Sequence, residues 1–412
     1  MVSRFDHSSQ RNYVGLYVGR VCINPFDHSQ TRYPGRCELM ATAEGKSRTD
    51  AESASERQPV VCSYNEWDPL EEVIVGRVDG GAVPPWHVTL QAATPQESWE
   101  LLKLLSGKPA PDAMVQAAQR DQAEFVSILE TEGVKVRRPD PIPQTESFGS
   151  PEWEVESAYN IANPRDGLLV VGEEIIETPM AWRSRYFEMN AYRNLLQEYF
   201  KAGAKWTAAP RPRLSDSLYN EQWELPEKGE PVQFAINETE CCFDAADFAR
   251  CGRDLFVTRS NVTNYFGIDW LRRHLGDDFA IHEIKTKSRQ PMHIDTTFVP
   301  LCPGRALYSP DFFDPADAPE VLKSWELLPA PPPISTMVQM IDLSSAWLSM
   351  NVLMLDEKRV ICEASQEPLI EKFREWGFEP IPCPYTNHYV YGGAFHCSTL
   401  DVRRRGSLQS YF

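Results

Sequence analysis

The stretch VLMLDEKRVICEASQEPLIEKFREWGFEPIP, Val352–Pro382, decides the fold. Two short apolar runs, Val352–Leu355 and Arg359–Cys362, flank an Asp-Glu-Lys turn and predict a strand pair. A helix follows from Pro368 to Trp376, Gly377 ends it, Phe378–Ile381 predicts a third strand, and Pro382 closes the unit. The same order recurs upstream. A helix over Asp112–Glu132, with Val115, Phe125, Ile128 and Leu129 as its apolar stripe, leads to Gly133, a strand at Val134–Val136 and Pro139, after a strand at Glu71–Val75. Strands Leu168–Val171 and Glu174–Ile176 precede a helix from Tyr186 to Lys201, then Gly203, a strand at Lys205–Thr207 and Pro210. Strand Asp254–Thr258, a helix ending near Leu275, Gly276 and strand Phe279–Ile284 make another copy, without the proline. One supersecondary unit used repeatedly predicts a modular ring or stack, here a propeller of α/β units. Helices commonly end in Gly, so an open α/β sheet is the alternative.

The chain has 412 residues, 42% hydrophobic and 24% charged, enough for a large core. A net charge of -18 argues against nucleic acid or an anionic membrane as partner and fits a cationic substrate. No apolar run reaches the roughly 20 residues that a membrane helix requires. Ten cysteines include no CxxC pair, so neither a zinc site nor a disulfide scaffold is predicted, and a reducing, cytoplasmic setting is expected. Residues 1–60 are polar, lack a hydrophobic period and are expected to be a disordered extension. They hold two near-copies of one phrase, Phe5–Arg11 and Phe26–Arg32, and resemble a transit peptide only faintly, so a mitochondrial location stays open. Either Met1 or Met40 serves as the start, and residues 61–412 are expected to form one catalytic propeller.

Four phrases carry possible chemistry. Cys397 follows His396, lies just after Gly392 and Gly393, and precedes Arg403, Arg404 and Arg405. Flexible backbone and nearby cations would favour its thiolate, although a buried, inert cysteine is the commoner case. Asn163-Pro164-Arg165-Asp166 reads as a loop before a strand. Phe243–Phe248 sets Asp244 and Asp247 among apolar residues, where an unpaired charge is costly. In Met292-His293-Ile294-Asp295 an extended backbone would turn His293 and Asp295 to one face. Each acid alone reads equally as a cap or an ion pair. Together they make a nucleophile, a proton carrier and surplus carboxylates suited to a planar guanidinium. A cysteine hydrolase fits the same inventory.

From about Cys62 to Phe412 the chain resembles the glycine amidinotransferase family, which includes arginine:glycine enzymes and enzymes of streptomycin and saxitoxin biosynthesis. The phrases that carry the resemblance are SYNEWDPLEEVIVG from Ser63, ETPMAWRSRYFE from Glu177, AGAKWTAAP from Ala202, FDAADF from Phe243, MHIDTTF from Met292, SMNVLMLDEKRV from Ser349 and FHCSTLDVRRRGSLQSYF from Phe395. The resemblance implies an α/β fold, the five-bladed pentein propeller of ββαβ units, with the active site at the ring's centre. It implies Cys397 as nucleophile, His293 as general acid/base and Asp244 as the carboxylate that orients it and holds the substrate. Asp166 and Asp295 are implied to bind the guanidinium, and Ser344 and Ser345 to handle the donor's amino-acid end. Met292, Phe312 and Asn160 complete the expected substrate pocket. Phe312 stands nineteen residues after His293, where the animal enzyme has an Arg, Asn160 where it has a Tyr, and Gln290 where it has an Asn. A Phe cannot clamp a carboxylate. The expected activity is therefore ping-pong transfer of the amidino group of L-arginine to a larger amine of secondary metabolism, with ornithine released. Transfer to glycine and arginine-deiminase-like hydrolysis are the alternatives. No metal or organic cofactor is implied; the expected partners are small-molecule substrates, and a homodimer is the expected assembly.

Overall fold

The computed structural model describes residues 58–335 and 345–412. Ser344 and the expected disordered extension up to residue 57 lie outside the described residues.

The described residues form five three-stranded sheets and one two-stranded hairpin. Every three-stranded sheet has one design, a first strand antiparallel to the middle one and a third parallel to it. In chain order these are Leu168–Val171, Glu174–Glu177 and Lys205–Ala208; then Phe248–Cys251, Asp254–Val257 and Ala280–Glu283; then Phe298–Cys302, Arg305–Tyr308 and Glu326–Pro329; then Leu353–Met354, Arg359–Glu363 and Glu379–Cys383. The fifth is built from both ends of the described chain, Thr399–Arg404 pairing antiparallel with Leu70–Val75, which pairs in parallel with Lys135–Arg137. That pairing joins the ends and makes the ring of five blades that the resemblance implies, four of them ββαβ. First strands such as Leu168–Val171 and Phe248–Cys251 are buried throughout, and third strands such as Lys205–Ala208 are half-exposed.

A parallel pair needs a long crossover, and four blades use a helix: Asp112–Thr131, Arg193–Ala202, Tyr265–Leu275 and Glu367–Glu375. Gly203 ends its helix with a left-handed φ of 112°, and Gly377 takes 87° after its helix, which explains the glycine in the repeat. Pro380 and Pro382 are tolerated because Glu379–Cys383 is an edge strand. Two readings need correction. The helix expected from Tyr186 begins at Arg193, preceded by short 3-10 turns at Arg183–Arg185 and Glu188–Tyr192. The blade Phe298–Pro329 was not among the predicted copies, because its crossover holds only 3-10 turns at Pro315–Asp317 and Glu320–Ser324. Pro315 and Pro319 leave no run long enough for a helix.

The blades meet around buried charges. Arg250 donates to Glu66 and to Asp401, at 2.7 and 2.8 Å; Arg165 also donates to Glu66 at 2.7 Å, and Arg404 to Asp401 at 2.8 Å. Burial works against the Glu66 and Asp401 carboxylates, but these arginines outweigh it and hold both below their usual values, Asp401 at about 2. Among the described residues no helix is long and apolar enough to cross a membrane. The described cysteines are all free thiols.

Candidate active site

Cys397 lies in the turn before the strand Thr399–Arg404, behind which Phe395 stacks on Tyr385 with ring centroids 4.6 Å apart. The glycine pair is packed rather than flexible. Gly392 takes a φ of 79°, and a Cβ on Gly393 would stand 2.5 Å from the Cys397 Cβ and 2.6 Å from Asn163 Oδ1. Nor do the arginines serve the thiolate. Arg404 reaches Asp401, Arg403 donates to Glu71 at 2.8 Å, and Arg405 lies 3.8 Å from Glu71, so all three pair with acids of the scaffold. The sulfur has Asn351 Nδ2 at 3.0 Å and Asp295 Oδ2 at 3.4 Å, and the His293 imidazole also reaches it. Burial, then the negative charges of Asp295 and Asp166, push the Cys397 thiol up to about 12, against the opposing pull of His293.

His293 is not in an extended segment. Its φ of 60° is unusual for a residue with a side chain, and a 3-10 turn, Ile294–Thr296, follows at once. Such backbone strain concentrates at functional sites. The bend turns the His293 imidazole to Asp244 and the Asp295 carboxylate to Cys397, with both residues on one pocket wall. His293 Nε2 lies 3.2 Å from Asp244 Oδ2, and Nδ1 lies 3.8 Å from Asp166 Oδ1. Burial alone would discharge the imidazolium, but Asp166 and Asp244 outweigh it and raise His293 well above its ordinary value. Asp295 is lowered, because His396, His293 and Arg165 overcome the effect of its burial.

Asp166 falls in the helical turn Pro164–Gly167 rather than in the expected loop. Arg185 donates to its Oδ2 at 2.7 Å and grips Glu188 with two bonds of 2.6 and 2.8 Å. Burial pushes Glu188 up to about 7, with Asp166 and Asp244 adding to the rise and Arg185 opposing it. The second acid of the FDAADF phrase, Asp247, accepts from Ser260 at 2.6 Å, away from the pocket wall.

These groups border a cavity of about 280 Å³. Asp166, His293, Asp295 and Cys397 line it together with the expected Met292, Phe312 and Ser345. Asp244 stands behind His293 and off the wall, placed to orient the imidazole rather than to hold the substrate as expected. Asn160, of the expected substrate pocket, is also turned away. It is buried, its Oδ1 caps the Ala162 amide at 2.8 Å, and Tyr159 faces the cavity in its place. Asn351, Arg185 and His396 were missed although each lies within a matching phrase, since amides and scaffold cations carry no signature of chemistry in sequence. His396 bridges Asp295 at 3.3 Å and Glu66 at 3.2 Å, linking the site to the charged centre of the ring.

One oxygen of each of Asp166, Asp244 and Asp295 has no hydrogen-bond partner among the described residues although buried. Those of Asp166 and Asp295, on the cavity wall, are open to a donor from a bound molecule. Asp166, His293 and Cys397 also offer ligand atoms within 4.8 Å of one another, the donor types of a metal site, but the same three groups are arranged for nucleophilic chemistry.

No family model matches the chain. It is 49% identical over 351 residues to L-arginine:L-lysine amidinotransferase of Pseudomonas savastanoi pv. phaseolicola, covering 85% of this chain and 96% of that protein. To mitochondrial glycine amidinotransferase of Gallus gallus it is 44% identical over 414 residues, 97% of this chain and 96% of that protein. Among solved structures it is similar to SxtG, an amidinotransferase of the saxitoxin biosynthetic pathway of Microseira wollei, with a TM-score of 0.81 and 50% identity, covering 85% of this chain and 99% of that one. A five-bladed ring built around a buried Cys, His and carboxylate set and relatives of this identity over nearly their whole length lead to one conclusion: the chain belongs to the glycine amidinotransferase family and has the α/β pentein fold.

Proposed function

We propose that the protein transfers the amidino group of L-arginine, through an amidino-Cys397 intermediate, to an acceptor amine larger than glycine in a secondary-metabolite pathway, releasing L-ornithine. The observation that carries this reading is the pair of buried pocket carboxylates, Asp166 and Asp295, each with an oxygen that no described residue satisfies. A guanidinium has five N–H donors and a delocalised charge, and satisfies both.

The same binding event activates the nucleophile. Asp295 and Asp166 hold the thiol proton on Cys397, so a cation between them cancels the charge that raises the thiol. Asn351 Nδ2, donating to Sγ, favours the thiolate further. Once the donor is bound the thiol proton passes to solvent, and the thiolate attacks the guanidino carbon, forming a C–S bond. His293, kept protonated by Asp166 and Asp244, gives its proton to the departing nitrogen as the C–N bond breaks, and ornithine leaves. The acceptor amine then attacks the amidino carbon, gives up its proton to His293, and expels the Cys397 thiolate with the new guanidine. Water in place of the amine would divert the intermediate to citrulline. On the acceptor side, Phe312 gives the wall an apolar patch suited to a larger amine. Incubation with L-arginine and a panel of amines tests the reading: ornithine and a guanidinated amine support it, whereas citrulline without ornithine overturns it.

A further inference from the structure

Two arginines line the cavity, and they differ in what they are free to do. Arg185 is fully engaged by Asp166 and Glu188. Arg289 is half-buried and anchored only through Nε, which donates to the Pro226 carbonyl at 2.5 Å; among the described residues no carboxylate pairs with it. Its loop is pinned on both sides of it. The Lys287 amide donates to the Phe312 carbonyl at 2.7 Å, and the Pro291 carbonyl accepts from the Asn261 amide at 2.9 Å. The neighbouring Gln290 side chain donates to the Thr94 carbonyl at 2.6 Å and to the Gln91 carbonyl at 3.2 Å. Arg289 thus lines the cavity from a fixed segment, and among the described residues no hydrogen-bond partner engages its terminal nitrogens. Phe312, Leu348 and Met292 on the same wall offer no charge.

The cavity is therefore bipolar, with Asp166 and Asp295 beside Cys397 and a cation on the wall formed by the 287–291 loop. An amino acid with a guanidinium side chain has the matching polarity, cation at one end and carboxylate at the other. We propose that Arg289 binds the α-carboxylate of the amidino donor and so sets the donor's register, holding the guanidino carbon at Cys397. The proposal rests on arginine being the donor. A fork of two N–H donors is the geometry that receives a carboxylate, and Phe312 beside it leaves that role to the loop.

The test is the first half-reaction, read by intact mass as formation of the amidino-enzyme against L-arginine concentration, with agmatine, which lacks the carboxylate, as competitor. For Arg289→Gln the half-saturating arginine concentration is expected to rise by about tenfold to a hundredfold, the usual worth of a charge-assisted bond. Agmatine inhibition should stay within about twofold, since Arg289 has nothing to hold on it, and Arg289→Lys should recover part of the loss. An unchanged arginine dependence in Arg289→Gln, or an equal weakening of agmatine, overturns the proposal. If the unaltered protein forms no adduct with arginine, the fault lies instead with the donor assignment.

Discussion

Asn351 holds the nucleophile from both sides: its Nδ2 lies 3.0 Å from Cys397 Sγ, and its Oδ1 accepts the Cys397 backbone amide at 3.2 Å. The same Nδ2 donates to Asp295 Oδ2 at 2.5 Å. Removing one pre-aimed donor to a developing anion typically costs about a hundredfold in rate. Asn351→Ala should therefore slow amidino-enzyme formation by about that factor at saturating arginine. Single-turnover rates check it, and a variant within about threefold of the parent would remove Asn351 from the account.

The pH dependence follows from the carboxylates around His293. Asp166 and Asp244 raise it well above its ordinary value, so its acid form persists through neutrality and the first half-reaction should fail only as pH climbs through that raised value. Asp244→Asn removes one of the two charges, and the alkaline limb of the rate profile should move to lower pH. The same shift bears on stability. A raised folded value means that the imidazolium stabilises the fold fully below its unfolded value of about 6.5 and loses this as pH rises through the folded one. Urea midpoints across that window should fall with pH in the parent, and less in His293→Gln.

Gly393 is a steric requirement. A Cβ there would meet the Cys397 Cβ at 2.5 Å and Asn163 Oδ1 at 2.6 Å, closer than side chains approach. Gly393→Ala should displace the sulfur and abolish adduct formation, while unfolding remains cooperative. Retention of more than about a tenth of the parent rate would show that the turn yields.

At the ring's centre, Arg250 is fully buried between Glu66 and Asp401. Truncating one partner of a buried charge network typically costs about 3–5 kcal/mol, because the other charges stay behind. Arg250→Ala is expected to lose that much in denaturant unfolding, and a loss under about 1 kcal/mol would mean that the centre reorganises.

Phe312 bears on the acceptor. Phe312→Arg replaces the apolar patch with a second cation and should improve carboxylate-bearing acceptors relative to uncharged amines. Competition between such amines for the amidino-enzyme measures it.

Four blades were legible in sequence because a helix, a glycine of positive φ and a strand recur at 112–137, 193–208, 265–283 and 367–383. The blade at Phe298–Pro329 was not, since Pro315 and Pro319 shorten its crossover and remove the helical period. The pairing of Thr399–Arg404 with Leu70–Val75 joins residues too far apart in the chain for local pattern to report. Cys397 and His293 were visible as chemistry, and the family resemblance supplied their roles. The bend at His293 was invisible, because a positive φ on a side-chain-bearing residue is imposed by packing and contradicts local preference. Asn351 and Arg289 escaped for another reason: an amide or a loop arginine gains meaning only from what stands within a few ångströms of it.

The central claim is covalent transfer through Cys397, and mass spectrometry of the protein incubated with L-arginine alone tests it most directly. The account predicts an amidino adduct on the peptide containing Cys397, ornithine released in step with it, and neither product from Cys397→Ala. Citrulline accumulating without ornithine, or ornithine formed by Cys397→Ala, would contradict it.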